Sequence, residues 1–250
     1  MSKPSSPPIT ADLRAAYDRM RAMQGHQGWW PGETPFEVCV GAILTQNTAW
    51  TNVEKAIQRL KAADVLQPQR MYDIGETELA DLIRPAGYFN IKARRLRAFL
   101  KVLIEEHQGD LKRLFQGDTG EVRLRLLAIN GIGPETADSM LLYAGGHASF
   151  VIDAYTKRIF GRHGWWRSPH RKRGGKHNSG EEYHSLQQLC SGALGHRPAR
   201  RRLDYWQDYH AQLVVIGKDF CRPREARCER CPLKSLLPGN GACVNPASFP

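Results

Sequence analysis

Residues 126–138, with the sequence Leu-Leu-Ala-Ile-Asn-Gly-Ile-Gly-Pro-Glu-Thr-Ala-Asp, predict two helices joined by a tight turn. Apolar residues lead into Gly131-Ile132-Gly133, and a proline then occupies the first position of a helix that we expect to reach Tyr143. The glycines allow backbone amides to point outward, and the positive end of the following helix adds to their attraction for anions. The turn therefore either binds a phosphate group without reading a base or is an ordinary connector between packed helices.

Helical periodicity is found in much of the remaining chain, and no segment predicts a strand. Between Ile91 and His107 apolar residues recur at three- and four-residue steps while basic residues cover the other face, which predicts an amphipathic helix. Thr34-Pro35-Phe36-Glu37 has the pattern of a capping box at a helix start. Short connectors such as Gly117–Gly120 divide residues 35–145 into helices of ordinary length, so we expect a compact all-α body.

The excess of positive charge lies almost entirely in the C-terminal part of the chain. Lys and Arg number 36 and Asp and Glu number 25, a net charge of +11, and residues 151–250 alone carry 18 basic against 8 acidic residues. This asymmetry favours a polyanionic partner, with nucleic acid preferred over an anionic membrane surface. Apolar stretches such as Leu213–Ile216 are too short to cross a bilayer, and the first ten residues lack the apolar core of a signal peptide. We expect a soluble intracellular protein.

The segment from about residue 164 to residue 202 is strongly basic on either side of an amphipathic stretch, Tyr183–Leu194. We expect its basic parts to be exposed loops. They form either a solvated insertion or direct contacts to phosphate groups.

Four of the six cysteines lie close together near the C-terminus. In a reducing compartment such a cluster favours a metal site over disulfides. Four thiolates can bind either an iron–sulfur cluster or tetrahedral zinc, so ligand chemistry alone leaves both open. The arginines between these cysteines would attract phosphate groups to the same loop. The cysteines are Cys221, Cys228, Cys231 and Cys243, and the arginines are Arg222, Arg224, Arg227 and Arg230.

Together these motifs resemble those of the helix-hairpin-helix (HhH-GPD) DNA glycosylase superfamily. Residues 126–138 resemble its helix-hairpin-helix, and the chain over roughly residues 34–243 is similar to the endonuclease III-like branch, which has an iron–sulfur cluster. Three further motifs support the resemblance: a glutamine-bearing loop, a Gly-aromatic-x-x-x-Lys-Ala entry to a long basic helix, and an aspartate twenty residues after the hairpin. They are Ile43–Thr48, Gly87–Ala93 and Val151–Asp153.

The resemblance implies an all-α, two-lobed fold with a C-terminal [4Fe–4S] cluster loop. Residues 35–149 would form a helical barrel-like domain that ends in the helix-hairpin-helix. Residues 1–34 would pack with residues 150–250 to form a second helical domain, which carries the cluster and the basic insertion. The cleft between the two would take a damaged base rotated out of duplex DNA.

The resemblance also assigns roles to individual residues. Asp153 would be the catalytic carboxylate, with Glu135 beside the hairpin as a second catalytic candidate. The hairpin would bind a DNA phosphate, and Gln46 would fill the space left by the flipped base. The DNA-binding residues would be Gln46, Lys92, Gly131, Ile132, Gly133, Arg222, Arg224 and Arg227. The cluster ligands would be Cys221, Cys228, Cys231 and Cys243, of which the last follows eleven residues after the third where the family has five.

Glu135 distinguishes two branches of the family. Bifunctional members have a lysine at this position that attacks C1′ of the sugar, and a carboxylate cannot form that Schiff base. Alternatively, the negative charge of Glu135 only interacts favourably with the dipole at the N-terminus of its helix. A glutamate near the hairpin, Glu135, and a tyrosine two residues after the aspartate, Tyr155, resemble the pattern of the monofunctional branch that includes 3-methyladenine DNA glycosylase III.

We therefore expect a monofunctional base excision repair glycosylase that removes an alkylated base from damaged double-stranded DNA. We expect it to act as a monomer in the cytoplasm, associated with the nucleoid in a bacterium. Two alternatives stay open. One is a bifunctional glycosylase/lyase for oxidised pyrimidines, if another lysine substitutes, and the other is a non-catalytic DNA-binding protein.

Several of these residues have an alternative local role. Gln46 could merely cap or cross-link helices. Asp153 could simply cap the helix that follows it. Lys92 is either a salt-bridge partner or a phosphate contact. Tyr88 and Trp50 are either core aromatics or stack on a base. We expect the Trp29-Trp30 and Trp165-Trp166 pairs to pack beneath the metal domain.

Overall fold

The computed structural model describes residues 9–167 and 179–238, and all regular secondary structure in these two ranges is helical. This confirms the all-α prediction. None of the helices in the described part of the chain is long and apolar enough to cross a membrane. The α-helices of these ranges are α1 (Ile9–Gln24), α2 (Pro35–Leu44), α3 (Trp50–Ala62), α4 (Pro68–Asp73), α5 (Glu76–Leu82), α6 (Phe89–Glu105), α7 (Leu111–Leu114), α8 (Thr119–Leu127), α9 (Pro134–Tyr143), α10 (Ala154–Arg162), α11 (Ser179–Leu194) and α12 (Ala199–Asp219).

The chain divides into two compact units. We call them the central unit, Trp30–Ser149, and the terminal unit, which combines Met1–Trp29 with Phe150–Pro250. The central unit begins at Trp30 because the Trp30 indole packs within it, with its ring centroid 5.4 Å from that of Trp50 and 5.2 Å from that of Tyr143. The expected packing of this tryptophan beneath the metal domain is therefore wrong.

Helix α6 supplies much of the core of the central unit. The four residues of its predicted apolar stripe are fully buried, namely Leu96, Phe99, Leu100 and Leu103. The helix starts and ends two residues earlier than its periodicity predicts. It begins at Phe89 because Tyr88 has a left-handed backbone conformation (φ +47°) directly after Gly87 (φ +66°), and a right-handed helix cannot continue through such residues.

Side-chain caps fix the starts of α2 and α8 in the central unit. Thr34 caps α2 as predicted, since its hydroxyl oxygen accepts a hydrogen bond from the Glu37 backbone N–H (3.1 Å). The Glu37 carboxylate pairs with Lys61 (3.0 Å). A reciprocal capping box forms at Asp118 and Glu121, where each side chain accepts a hydrogen bond from the other residue's backbone N–H (3.0 and 3.4 Å). The predicted connector around these residues therefore also contains the start of α8.

Helix α12 is the element of the terminal unit against which both α1 and α10 pack. Its approach to α10 is close at Gly217, where a Cβ atom would lie 2.2 Å from the Tyr155 ring. Asp208 ties the N-terminal segment to α12, because its carboxylate accepts hydrogen bonds from the Tyr17 hydroxyl (2.8 Å) and the Gln27 backbone N–H (2.8 Å). Glycine at position 217 and a buried acid at position 208 thus hold three parts of this unit together.

The basic segment of residues 164–202 contains more helix than predicted. Helix α11 includes the amphipathic stretch, and α12 begins at Ala199, so arginines 200, 201 and 202 are helical rather than part of a loop. The Arg197 guanidinium lies 4.3 Å from the centre of the Tyr205 ring, so part of the positive charge packs against the protein. Residues 168–178 of the predicted insertion lie outside the described residues.

Candidate active site and nucleic-acid interface

The predicted turn between α8 and α9 has a backbone conformation that its glycines permit. Gly131 has φ +87°, and a Cβ atom there would lie 2.3 Å from Cγ of Arg95, so the position requires glycine. Ile132 is buried and anchors the turn, whereas Gly133 is exposed where α9 begins. The N-terminus of α9 therefore stands beside an exposed glycine, an arrangement that suits an anion.

Gln46 lies in the loop after α2 and is hydrogen-bonded to the hairpin. Its side-chain nitrogen donates to the Gly131 carbonyl (3.0 Å) and to the Thr136 hydroxyl (2.9 Å). Its side-chain oxygen accepts a hydrogen bond from the Arg95 guanidinium. Insertion of Gln46 into DNA stays a prediction, and it would require breaking these bonds.

The structure corrects the predicted DNA contact of Lys92. The residue is 1% exposed, and its ammonium group donates to the Leu44 carbonyl (2.7 Å), the Thr48 hydroxyl (2.5 Å) and the Ala86 carbonyl (2.8 Å). Burial and the charge of Arg95 lower the pKa of Lys92 to about 8. An ammonium group has three donors, and here all three are directed at oxygens inside the protein. Lys92 joins the loop after α2 to the loop before α6 and cannot reach a phosphate.

Tyr88 and Trp50 differ in their surroundings. Tyr88 is 69% exposed at the start of α6, on the loop that Lys92 holds. Trp50 is half-buried against the core, packs on Trp30, and donates a hydrogen bond from Nε1 to the Glu54 carboxylate (2.7 Å). Tyr88 is therefore the aromatic side chain suited to stack on a base, and Trp50 is part of the packed interior.

Glu135 lies in the first turn of α9, and its side chain is exposed. A carboxylate at this position interacts favourably with the helix dipole, and a catalytic role for it stays a prediction. The buried carboxylate of this helix belongs to Asp138, which accepts two hydrogen bonds from Arg123 (2.8 and 3.0 Å). This pair joins α8 to α9 and so fixes the two arms of the hairpin.

Asp153 is both a helix cap and a buried acid. Its Oδ1 accepts hydrogen bonds from the Thr156 backbone N–H (2.7 Å) and the Thr156 hydroxyl (2.8 Å), and Asp153 is 8% exposed. Its Oδ2 lies 3.5 Å from Nε2 of His210. Burial raises the pKa of Asp153, but His210 and the two Thr156 hydrogen bonds outweigh burial and hold this pKa below its ordinary value. The residue is therefore an ionised carboxylate that is largely shielded from water.

Neither Thr156 nor His210 is predicted from the sequence to belong to the site. A signal for Thr156 exists, because the backbone N–H three residues after a helix cap is the usual donor to the cap. His210 lies on α12, and periodicity with Tyr209 and Leu213 places it on a buried face. Nothing in the local sequence indicates that Asp153 is its partner.

Three of the predicted cluster ligands, Cys221, Cys228 and Cys231, line one small cavity of the terminal unit. Arg162 also lines this cavity, and its Nη1 donates to Sγ of Cys221 (3.1 Å). Within the residues that the structure describes, no group of three or more His, Cys, Asp or Glu side chains is arranged to hold a metal ion. The fourth predicted ligand, Cys243, lies outside the described residues.

Two features of this cavity bear on whether its cysteines could hold a metal cluster. Arg162 is buried, and its hydrogen bond to the Cys221 sulfur is the kind of contact that a ligating sulfur accepts from a neighbouring side chain. Burial raises the pKa of the Cys231 thiol to about 11, so the positive charge of a metal is needed to deprotonate it near neutral pH. Cys221 and Cys231 have free thiols and suit such a site, whereas Cys228 is disulfide-bonded in this structure and could serve as a ligand only after that bond is reduced. Cys243 would add the fourth ligand.

The loop between Cys221 and Cys231 presents basic side chains to solvent. Arg224 and Arg227 are exposed, and Arg222 is half-buried with its Nε donating to the Lys218 carbonyl (3.2 Å). Exposed guanidinium groups of this kind can approach phosphates, and their contact with DNA stays a prediction.

Comparisons with known proteins identify the family. The chain matches the model of the HhH-GPD superfamily base excision DNA repair protein over residues 40–179. A Methanocaldococcus jannaschii protein that has the provisional name of a DNA repair glycosylase is 43% identical over 214 residues, which are 85% of this chain and 89% of that protein. Endonuclease III of Thermotoga maritima is 26% identical over 203 residues, 80% of this chain and 81% of that protein. The chain therefore belongs to the HhH-GPD superfamily, and it is a DNA glycosylase of base excision repair.

Solved structures have the same fold. The endonuclease III in a non-covalent DNA complex superposes with a TM-score of 0.74 at 20% identity. The alignment covers 96% of this chain and 97% of the endonuclease III chain. The 3-methyladenine DNA glycosylase of H. pylori, bound to 1,N6-ethenoadenine, has a TM-score of 0.65 at 25% identity and covers 83% and 96%. The predicted endonuclease III-like HhH-GPD fold is thereby confirmed.

The position of Lys92 generates a stability prediction. Lys92→Met should lower the free energy of unfolding by about 3 kcal/mol, because three acceptors lose a buried donor. Urea unfolding at pH 7 measures this change. Arg94→Met, at an exposed position of the same helix, is the control and should change stability by less than about 0.5 kcal/mol. A Lys92→Met protein of normal stability with weakened DNA binding would restore the phosphate-contact interpretation.

Proposed function

We propose that the protein is a monofunctional DNA glycosylase that hydrolyses the N-glycosidic bond of an alkylated base, such as 3-methyladenine, in damaged duplex DNA. The observation that carries the proposal is the buried, ionised carboxylate of Asp153, together with a carboxylate, Glu135, where a Schiff-base lysine would stand. The 25% identity to the H. pylori 3-methyladenine DNA glycosylase supports this substrate class. We propose that it acts as a monomer in the cytoplasm.

Hydrolysis of this bond develops positive charge at C1′ of the sugar. The C1′–N bond breaks with its electron pair going to the base, and water then adds to C1′ and loses a proton. A fixed carboxylate stabilises the positive charge and orients or deprotonates the water, which is the role that we propose for Asp153. A cationic alkylated base leaves as a neutral molecule and needs little acid catalysis. One carboxylate can therefore suffice for such a base, whereas intact bases leave poorly and are spared.

The proposed DNA contacts come from both units. In the central unit, the turn at Gly131–Gly133 would bind a phosphate at the N-terminus of α9, and the exposed Tyr88 would stack on a base. Gln46 would fill the space of the flipped base after leaving its bonds to the hairpin. In the terminal unit, Arg224 and Arg227 would attract phosphates.

A bifunctional glycosylase/lyase is the second candidate, and the similarity to T. maritima endonuclease III favours it. It would need a lysine other than residue 135 to attack C1′. Lys157 lies about one helical turn after Asp153, on α10, so it is the lysine to test for this role. The carboxylate at position 135 favours the monofunctional reaction, because it cannot form a Schiff base.

The first test of the proposal is Asp153→Asn. Removing the charge should lower the single-turnover rate of base release by about 100-fold or more, because the positive charge at C1′ loses its stabilisation. Asparagine is a good helix cap, so α10 should persist, and duplex binding should be retained. Asp118→Asn, a cap substitution in the central unit, is the matched control and should keep normal turnover. Near-normal base release by Asp153→Asn would contradict the role of this residue.

The second test separates the two candidate functions. Borohydride reduction during turnover traps a Schiff base as a covalent protein–DNA adduct. We expect no adduct, since Glu135 cannot form one. A trapped adduct that disappears on Lys157→Ala, or on substitution of one other lysine, would establish the bifunctional reaction.

We further propose that Cys221, Cys228, Cys231 and Cys243 bind a [4Fe–4S] cluster, with Cys221 supported by Arg162. When bound, the cluster would crosslink this loop and hold its exposed arginines in place. Purified protein should contain about four iron and four sulfide per chain. Cys221→Ser should lower iron content, folding stability and DNA affinity together, whereas Cys190→Ala, at a buried cysteine of α11, should leave the iron content unchanged. Stoichiometric zinc without iron or sulfide would contradict the assignment.

A further inference from the structure

The two oxygens of the Asp153 carboxylate have different surroundings. Thr156 holds Oδ1 with two hydrogen bonds (2.7 and 2.8 Å), which also form the cap of α10. Oδ2 faces Nε2 of His210 at 3.5 Å. The Thr156 bonds restrict rotation about the Cβ–Cγ bond through one oxygen only, and hydrogen bonds tolerate a range of angles. A second contact, at Oδ2, narrows the rotation that remains.

His210 is well placed to supply that contact. It is 4% exposed in the middle of α12, and two residues of the same helical turn are tethered to the N-terminal segment. The Tyr209 hydroxyl donates to the Leu13 carbonyl (2.8 Å), and the Gln212 side chain donates to the Gly25 carbonyl (2.6 Å). The imidazole therefore has little freedom to move away from Asp153.

We propose that His210 is a positioning residue that fixes the plane of the Asp153 carboxylate for base release. This inference rests on the proposed catalytic role of Asp153. The 3.5 Å separation is long for a hydrogen bond in the free protein, and catalytic contacts commonly tighten when the substrate binds and water leaves. Without His210, the buried Oδ2 loses its polar neighbour. The carboxylate is then free to turn away from C1′ or to take up a proton, and either change removes charge from the reacting bond.

The test compares two substitutions of His210. His210→Leu removes the donor while filling similar space, and it should lower the single-turnover rate of base release roughly 10- to 100-fold. Affinity for a duplex with an uncleavable abasic-site analogue should stay unchanged, because the contact orients a catalytic group and does not bind DNA. His210→Gln keeps an N–H donor and should restore most of the rate. His184→Leu, at an exposed histidine of α11, is the matched control and should have no effect.

A double-mutant cycle links the two residues. In an Asp153→Asn background, His210→Leu should cause no further loss of rate, because there is no carboxylate left to position. An unchanged rate in His210→Leu would overturn the proposal. Equal loss of rate and stability in both His210 variants would also overturn it, since that result indicates a purely packing role.

Failure of the catalytic role of Asp153 would give a different result. If Asp153→Asn retains normal turnover, the proposed function of Asp153 fails, and the positioning role fails with it. The pairing itself is then still measurable by urea unfolding of the same four proteins. Non-additive shifts of the unfolding midpoint would show that the contact is structural, and additive shifts would show that the two residues do not interact.

Discussion

The organisation of the terminal unit depends on the hydrogen bonds of the Asp153 side chain. Its Oδ1 begins α10 by accepting two hydrogen bonds from Thr156. From that start, α10 runs along α12 and contributes Arg158, which donates to the Gly217 carbonyl (2.9 Å) and the Cys221 carbonyl (2.6 Å). One turn later, Arg162 reaches the Cys221 sulfur. A single helix therefore connects the candidate catalytic carboxylate to the cysteine loop.

Buried charges position loops and helix ends in both units. A charge removed from water is costly unless polar partners surround it, so each one fixes the elements that supply its partners. In the central unit, hydrogen bonds from Lys92 hold two loops together, and Asp138 joins the two helices of the hairpin. In the terminal unit, Asp153 joins α10 to α12, and Asp208 ties the N-terminal segment to α12. The value of these groups lies in positioning rather than in net stability.

The features that follow local patterns could be predicted from the sequence. The stripe of α6, the cap at Thr34 and the turn at Gly131 depend on nearby residues and on backbone conformation, and each is found as predicted. The basic residues around Lys92 predict a surface position, yet the residue is buried and donates to the carbonyl groups of Leu44 and Ala86. The partner of His210 lies in another helix, and only tertiary packing brings the two together, so the sequence does not indicate the pair. The Asp-x-x-Glu pattern of the capping box at Asp118 is local, but our predictions do not include it.

The products formed from duplexes with a single alkylated base test the central claim most directly. A hydrolytic glycosylase with Asp153 as its carboxylate should release the free base and leave an intact abasic strand that breaks only after treatment with hot alkali. Strand scission at the lesion without alkali would contradict the monofunctional account, and binding without release of any base would contradict a catalytic role altogether.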